Sequence, residues 1–139
     1  MALSLLELGL VLTGVKAELE HSGHKILEKT CVLLENSAKE ALGTYEFGWP
    51  PLQPETIARK VTGDSPLLET GALRDSITHN VDASGKEAAV GTDLDYAKYL
   101  EFGASKMPAR PFLGGALIAK EHEIGDGVVA EVKKIFEKK

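Results

Sequence analysis

Ser76-Ile77-Thr78-His79-Asn80-Val81-Asp82-Ala83-Ser84-Gly85-Lys86-Glu87-Ala88-Ala89-Val90-Gly91-Thr92 is the stretch whose reading decides the fold class. Over Ser76–Ala83, Ile77, His79 and Val81 alternate with Thr78 and Asn80, the two-residue period of a half-buried strand. Glu87–Thr92 reads as a second short strand centred on Ala88, Ala89 and Val90. Between them Asp82 to Lys86 supply turn chemistry, so the pair predicts an antiparallel hairpin. The patterns on either side are helical, which makes the chain α+β.

Upstream, Leu8, Leu12, Val15, Leu19, Ile26 and Leu33 recur at spacings of three, four and seven, widened by Val11, Leu27 and Leu34. That periodicity predicts one long amphipathic helix from Leu5 to Leu42, stopped by Gly43 just past its end. Gly14 and Gly23 weaken it and mark bends or close contacts. From Gly43 to Thr70 the prolines at 50, 51, 54 and 66 forbid long regular elements, apart from a short helix at Pro54–Lys60 that opens on a proline. A connection of this length is commonly functional, and residues 43–70 are expected to form a flexible loop or arm.

Downstream of the hairpin, Thr92 or Asp93 is placed to cap a short helix over Leu94–Phe102, ended by Gly103. Ser105–Arg110 should be extended because Pro108 and Pro111 restrict the residues before them, and it is a candidate third strand or sheet edge. A final helix starts at Pro111 and runs to about Phe136 on Phe112, Leu113, Ala116, Leu117, Ile124, Val128, Val132 and Ile135, with a bend or break expected at Gly125-Asp126-Gly127. Lys133, Lys134, Lys138 and Lys139 suit the C-terminus of that helix. The expected architecture is thus two long helices, N-terminal and C-terminal, packed on a small, mainly antiparallel sheet, with a long proline-containing loop. Residues 1–139 form one domain.

The 139 residues, 43% apolar and 27% charged, suit a globular chain that needs no staples. The single Cys31 cannot form an internal disulfide and reads as a small buried thiol in a reducing compartment. The leucine-rich start, Ala2 to Val15, carries Glu7, lacks a basic n-region and is too short to span a membrane, so a cytoplasmic residence without export is expected. A net charge of −5 argues against neutralising nucleic-acid phosphate as the main task.

Enzymatic signatures are weak one by one. The chain carries neither a glycine-rich phosphate loop nor a GxSxG elbow nor a cysteine pair. His21 and His24, with Glu20 and Glu28, sit at helical spacing, but a metal needs three or four convergent ligands and a polar helix face is the simpler reading. Glu121-His122-Glu123 reads the same way. Asp93 and Asp95 are read as capping groups at a strand-to-helix junction, and Gly63-Asp64-Ser65-Pro66 as a turn. Neither cofactor nor metal is called for.

Three clusters are more particular. In Leu67 to Ile77, Thr70-Gly71 makes a tight bend, Leu73 is expected to bury, and Arg74 can reach a carboxylate as a planar fork. Val90-Gly91-Thr92 ends a strand where glycine permits a turn. Tyr96, Tyr99 and Phe102 then follow at i, i+3 and i+6, and Pro108-Ala109-Arg110-Pro111 holds an arginine in stiff backbone. An aromatic stripe at helical spacing is by default core, yet aromatics beside a rigidly held arginine are also the composition of interface anchors.

The order of these pieces resembles the bacteriophage tail-completion, or virion morphogenesis, family. The resemblance rests on Trp49-Pro-x-Leu52; Leu-x-Thr70-Gly71-x-Leu73-Arg74-x-Ser76-Ile77; Val90-Gly91-Thr92; Tyr96-Ala97-x-Tyr99-x-Glu101-Phe102-Gly103; and Pro108-Ala109-Arg110-Pro111-Phe112-Leu113. It covers Trp49 to Leu117 and extends loosely into the first helix. It implies a non-catalytic structural protein of a tailed phage or prophage, acting at the head–tail junction or head-proximal tail end as a ring. The implied partners are copies of itself and other phage head–tail or tail proteins, with no membrane and no specific DNA binding, although DNA passes through the ring. The implied location is the host bacterial cytoplasm during assembly, then the virion tail or neck. The alternatives are a metal-dependent hydrolase domain using His21 and His24, and a protein-interaction adaptor unrelated to phage.

Overall fold

The computed structural model describes the backbone of residues 5–137 and the side chains of residues 21–137. Seven elements follow in order: α1 (Leu5–Ala41), α2 (Pro54–Arg59), α3 (Ala72–Ser76), β1 (Thr78–Val81), β2 (Ala88–Gly91), α4 (Ala97–Phe102) and α5 (Phe112–Glu137). The two long helices and the small antiparallel sheet are those the periodicity predicts.

α1 ends where Gly43 adopts a φ of 85°, the left-handed geometry that closes helices. Its N–H donates to Pro66 O at 2.7 Å, which pins the far end of the proline-containing loop to the helix terminus. α5 packs back along α1. Lys29 of α1 donates to Glu131 of α5 at 3.0 Å, with Lys25 and Lys134 within 3.7 Å. The Lys29 hydrogen bond holds the Glu131 carboxyl below the usual range against its own desolvation.

β1 and β2 pair antiparallel with Thr78 opposite Gly91 and Val81 opposite Ala88. His79 and Val81 face inward while Thr78 and Asn80 face out, as the alternation predicts. The hairpin lies on α1. A Cβ on Gly23 would meet Gly85 O at 2.7 Å, so the glycine in the helix and the glycine in the turn are what let the two backbones touch. The surroundings of Gly14 lie outside what is described, as do the side chain of Glu20 and residues Lys138 and Lys139.

Inside, Ala38, Ala41 and Leu42 of α1 meet Trp49, Leu73, Ile77, Ala97, Phe112 and Ala116 in one cluster. Alanines on α1 keep that wall flat, so the fully buried Phe112 ring can press against it, a contact worth about 2–3 kcal/mol from burial alone. Cys31 is buried as expected, and its thiol is pushed up chiefly by desolvation and then by Glu28 and Glu35.

Four expectations need correction. The first strand starts at Thr78 rather than Ser76, because Ala72–Ser76 is a helical turn. Thr70 Oγ1 accepts from Ala72 N–H at 3.3 Å and Ser76 Oγ donates to Leu73 O at 2.7 Å, and these local bonds hold the turn against extension. α4 starts at Ala97, not Leu94. Thr92 caps a turn there by accepting from Leu94 N–H at 3.2 Å, while Asp93 and Asp95 are simply exposed. Ser105–Arg110 adds no strand. Ala104 and Met107 exchange backbone hydrogen bonds across a two-residue turn, which uses locally the groups a third strand would need. Finally, α5 runs through Gly125-Asp126-Gly127 without a break, its contacts with α1 on both sides outweighing a glycine cost of about 1 kcal/mol each.

Candidate functional site

An open cleft of about 700 Å³ lies between the proline-containing loop and α4. Seven of the residues singled out from sequence line it: Leu52, Thr70, Gly71, Leu73, Tyr96, Pro108 and Arg110. Its floor includes Leu67, a non-glycine residue at φ 61°. That left-handed conformation costs about 1–2 kcal/mol and is held by the buried Pro66 before it.

Arg110 builds one wall. The residue is 8% exposed, and its guanidinium donates to Pro50 O from Nε at 3.2 Å and from Nη2 at 2.9 Å, and to Pro51 O at 3.3 Å. Its backbone N–H donates to Leu100 O at 2.7 Å. One residue, by its side chain and its backbone, therefore ties the proline loop, the segment before α5 and α4 into a single frame. Trp49 reinforces it, donating from Nε1 to Pro111 O at 3.3 Å while its ring meets Phe47 edge-on at 5.7 Å. Within the loop, Tyr45 OH donates to Asp64, and Lys60 and Thr62 both donate to Leu68 O.

Glu101 has a different task. Its carboxylate accepts from Leu113 N–H at 3.0 Å and from Gly114 N–H at 2.8 Å, the free donors at the start of α5. A negative group there also meets the positive end of the helix dipole. Gly103 sits at φ 81° and ψ 172°, a region open essentially to glycine. A Cβ on it would meet Ala109 N at 2.9 Å, so the turn after α4 folds back only because this residue is glycine.

The aromatic stripe is outside. Tyr96 and Tyr99 are each 47% exposed and Phe102 is 81% exposed, so the default expectation of core fails for all three. Burial in this region goes instead to Ala97 and Phe112, and α4 is too short to bury two faces. Met107 is also exposed, and Lys98 Nζ lies 5.1 Å over the Tyr99 ring. Three exposed aromatics along one short helix, the first of them at a cleft, are the composition of a contact surface.

A family model for bacteriophage HK97-gp10-like tail components matches residues 25–103, more than half of the chain. The chain belongs to that family. No curated protein and no solved structure shows a significant match to it. For this tail component the match reaches further into α1 than the motifs suggest and ends at Gly103, so Pro108, Arg110, Pro111 and Phe112 are placed by the structure alone.

Within the tail component the singled-out residues divide by burial. Trp49, Gly71, Leu73, Arg110 and Phe112 are buried, and Leu52, Gly91, Glu101 and Gly103 half-buried, whereas Thr70, Arg74, Tyr96, Tyr99, Phe102, Pro108 and Pro111 are exposed. Arg74 forms no fork; its Nε stands 3.8 Å from Asp75 in solvent. Sequence reasoning missed the pairing of Glu28 with His79, whose Nε2 lies 2.8 Å from Glu28 Oε1 and whose Nδ1 lies 3.4 Å from Glu35. The hydrogen bond to Glu28 raises the His79 pKa, and Glu35 adds to it. The alternation of β1 marked His79 as inward-facing, and Glu28 and Glu35 at i and i+7 share one face of α1, which was the available signal. His21 and His24 are exposed, and among the described residues no three His, Cys, Asp or Glu side chains gather as a metal site. Nor is any helix among them long and apolar enough to cross a membrane.

Proposed function

We propose that this tail component is a structural subunit of the head-proximal tail end, joining head to tail as a ring in which the whole chain, residues 1–139, acts as one domain. The observation that carries the reading is the exposed stripe of Tyr96, Tyr99 and Phe102, which begins at the edge of the cleft with Tyr96. The stripe meets the cleft at Tyr96, while Phe102 borders a separate groove with Leu94, Lys98 and Leu113; in a ring such a surface meets a different one on the next subunit. The buried signature residues hold the surface in shape and do not themselves make the contact.

The loop 43–70 is the second contact element. α2 has no buried residue, which leaves this formed turn of helix free to dock against a neighbouring subunit or another head–tail protein. The subunit assembles in the host cytoplasm and ends in the virion tail or neck. Its net charge of −5 lets DNA pass through the ring without adhering. The reaction is assembly, not catalysis.

The test uses Phe102→Asp and Tyr99→Asp in the full chain. Both should retain the wild-type circular dichroism spectrum and melting curve, yet fail to form ring-sized species with tail partners in sedimentation. Normal assembly by both variants would refute the placement of the contact on this stripe.

A further inference from the structure

The solvent face of α5 carries a pattern that the fold does not use. Ile118, Gly125 and Val132 recur every seven residues, and His122, Val129 and Phe136 do the same. Together the six make one seam with the spacing of a coiled coil, on the side away from the buried Phe112, Ala116, Glu131 and Ile135. Ile118 is 73% exposed, Val129 58% and Phe136 52%. Gly125 weakens the helix relative to alanine, yet a Cβ there would meet nothing within 4 Å. Among the described residues no close approach requires that glycine.

The charges that flank this seam differ in sign along it. Glu121 and Asp126 precede its centre and Lys133 follows it, whereas Lys120, Glu123, Glu131, Lys134 and Glu137 lie off its flanks. A second copy running antiparallel brings Asp126 beside Lys133, whereas a parallel copy sets Glu121 beside Asp126.

We propose that α5 pairs antiparallel with α5 of a second copy of this chain. Val129 of each copy lies opposite Val132 of the other, which places each Phe136 ring in the open space over the other copy's Gly125. In the same register Asp126 falls about half a turn from Lys133 at the flank of the seam, twice by symmetry. The contact is self-complementary and closes on itself. It therefore pairs subunits, and goes beyond the head-to-tail contacts of a ring.

The experiment is sedimentation equilibrium of the full chain over a concentration series at low salt, with Asp126→Lys, Lys133→Glu, the double exchange and Phe136→Ala. The wild type should show a monomer–dimer equilibrium. Each single reversal should weaken it about tenfold, since two exposed pairs turn from attraction to repulsion, and the double exchange should restore it. Phe136→Ala should weaken it too, with the helix content of every variant unchanged by circular dichroism. A wild type that stays monomeric throughout overturns the proposal, as does a dimer indifferent to both reversals. Binding of another tail protein to monomeric wild type but not to Phe136→Ala also overturns it, giving the seam to that protein.

Discussion

Replacing Arg110 with alanine separates a scaffold role from a contact role. The guanidinium makes three hydrogen bonds to two carbonyls, Pro50 O and Pro51 O, from a position only 8% exposed. A hydrogen bond from a charged group contributes about 1.5–3 kcal/mol net, and a carbonyl left without its donor costs about 1–3 kcal/mol. Two acceptors are shared among three bonds, and water can reach the loop once the side chain is gone. The expected loss for Arg110→Ala is thus about 3–5 kcal/mol, a large part of the stability of an ordinary domain. Arg110→Lys keeps the charge but not the fork, and should lose about 1–2 kcal/mol. Urea unfolding gives the magnitude, and limited proteolysis should show new cleavage within residues 43–70. An Arg110→Ala chain within about 0.5 kcal/mol of wild type and uncleaved in that loop would refute the scaffold role.

Three further outcomes follow from single contacts. Glu101→Ala should lower stability by about 2 kcal/mol by stripping the cap from α5, and Glu101→Gln by about half of that, read from urea midpoints. Gly103→Ala should lose at least about 2 kcal/mol, through a forbidden backbone conformation and a clash with Ala109, and an unchanged melting curve would show the turn to be relaxed. The pKa of His79 is raised in the folded state by its hydrogen bond to Glu28, so the pairing contributes fully below the unfolded value near pH 6.5 and is lost as pH rises through the folded value. Wild type should therefore lose stability as the pH rises above about 6.5 relative to His79→Gln, and parallel profiles would show that the Glu28–His79 pair contributes nothing.

What was legible in the sequence was whatever repeats locally. The periodicity of α1 and α5, the inward face of the hairpin and the helix stop at Gly43 need only neighbouring residues, and each is where the pattern places it. Ala72–Ser76 is too short to show a period, and its hydroxyl and carbonyl bonds favour a turn that propensity alone does not reveal. Gly125 and Gly127 looked like breakers because the support for α5 comes from α1, about a hundred positions earlier in the chain.

The same division runs through the site. Arg110 and Glu101 were visible as unusual residues, but their roles depend on Pro50 and on Leu113, partners that no local window connects to them. The stripe of Tyr96, Tyr99 and Phe102 has core spacing, and only the packing of Ala97 and Phe112 beneath it shows that the rings are left in water. The signature therefore named the family more readily than the surface.

The central claim is that this tail component acts through its exposed aromatic stripe while its buried signature residues serve the fold. Complementation of a phage lacking the gene with the Tyr99→Asp/Phe102→Asp double variant, scored by electron microscopy of the lysate, tests it most directly. The account predicts folded protein, filled heads and separate tails, with few joined particles. Joined, infectious particles at the wild-type level would contradict it.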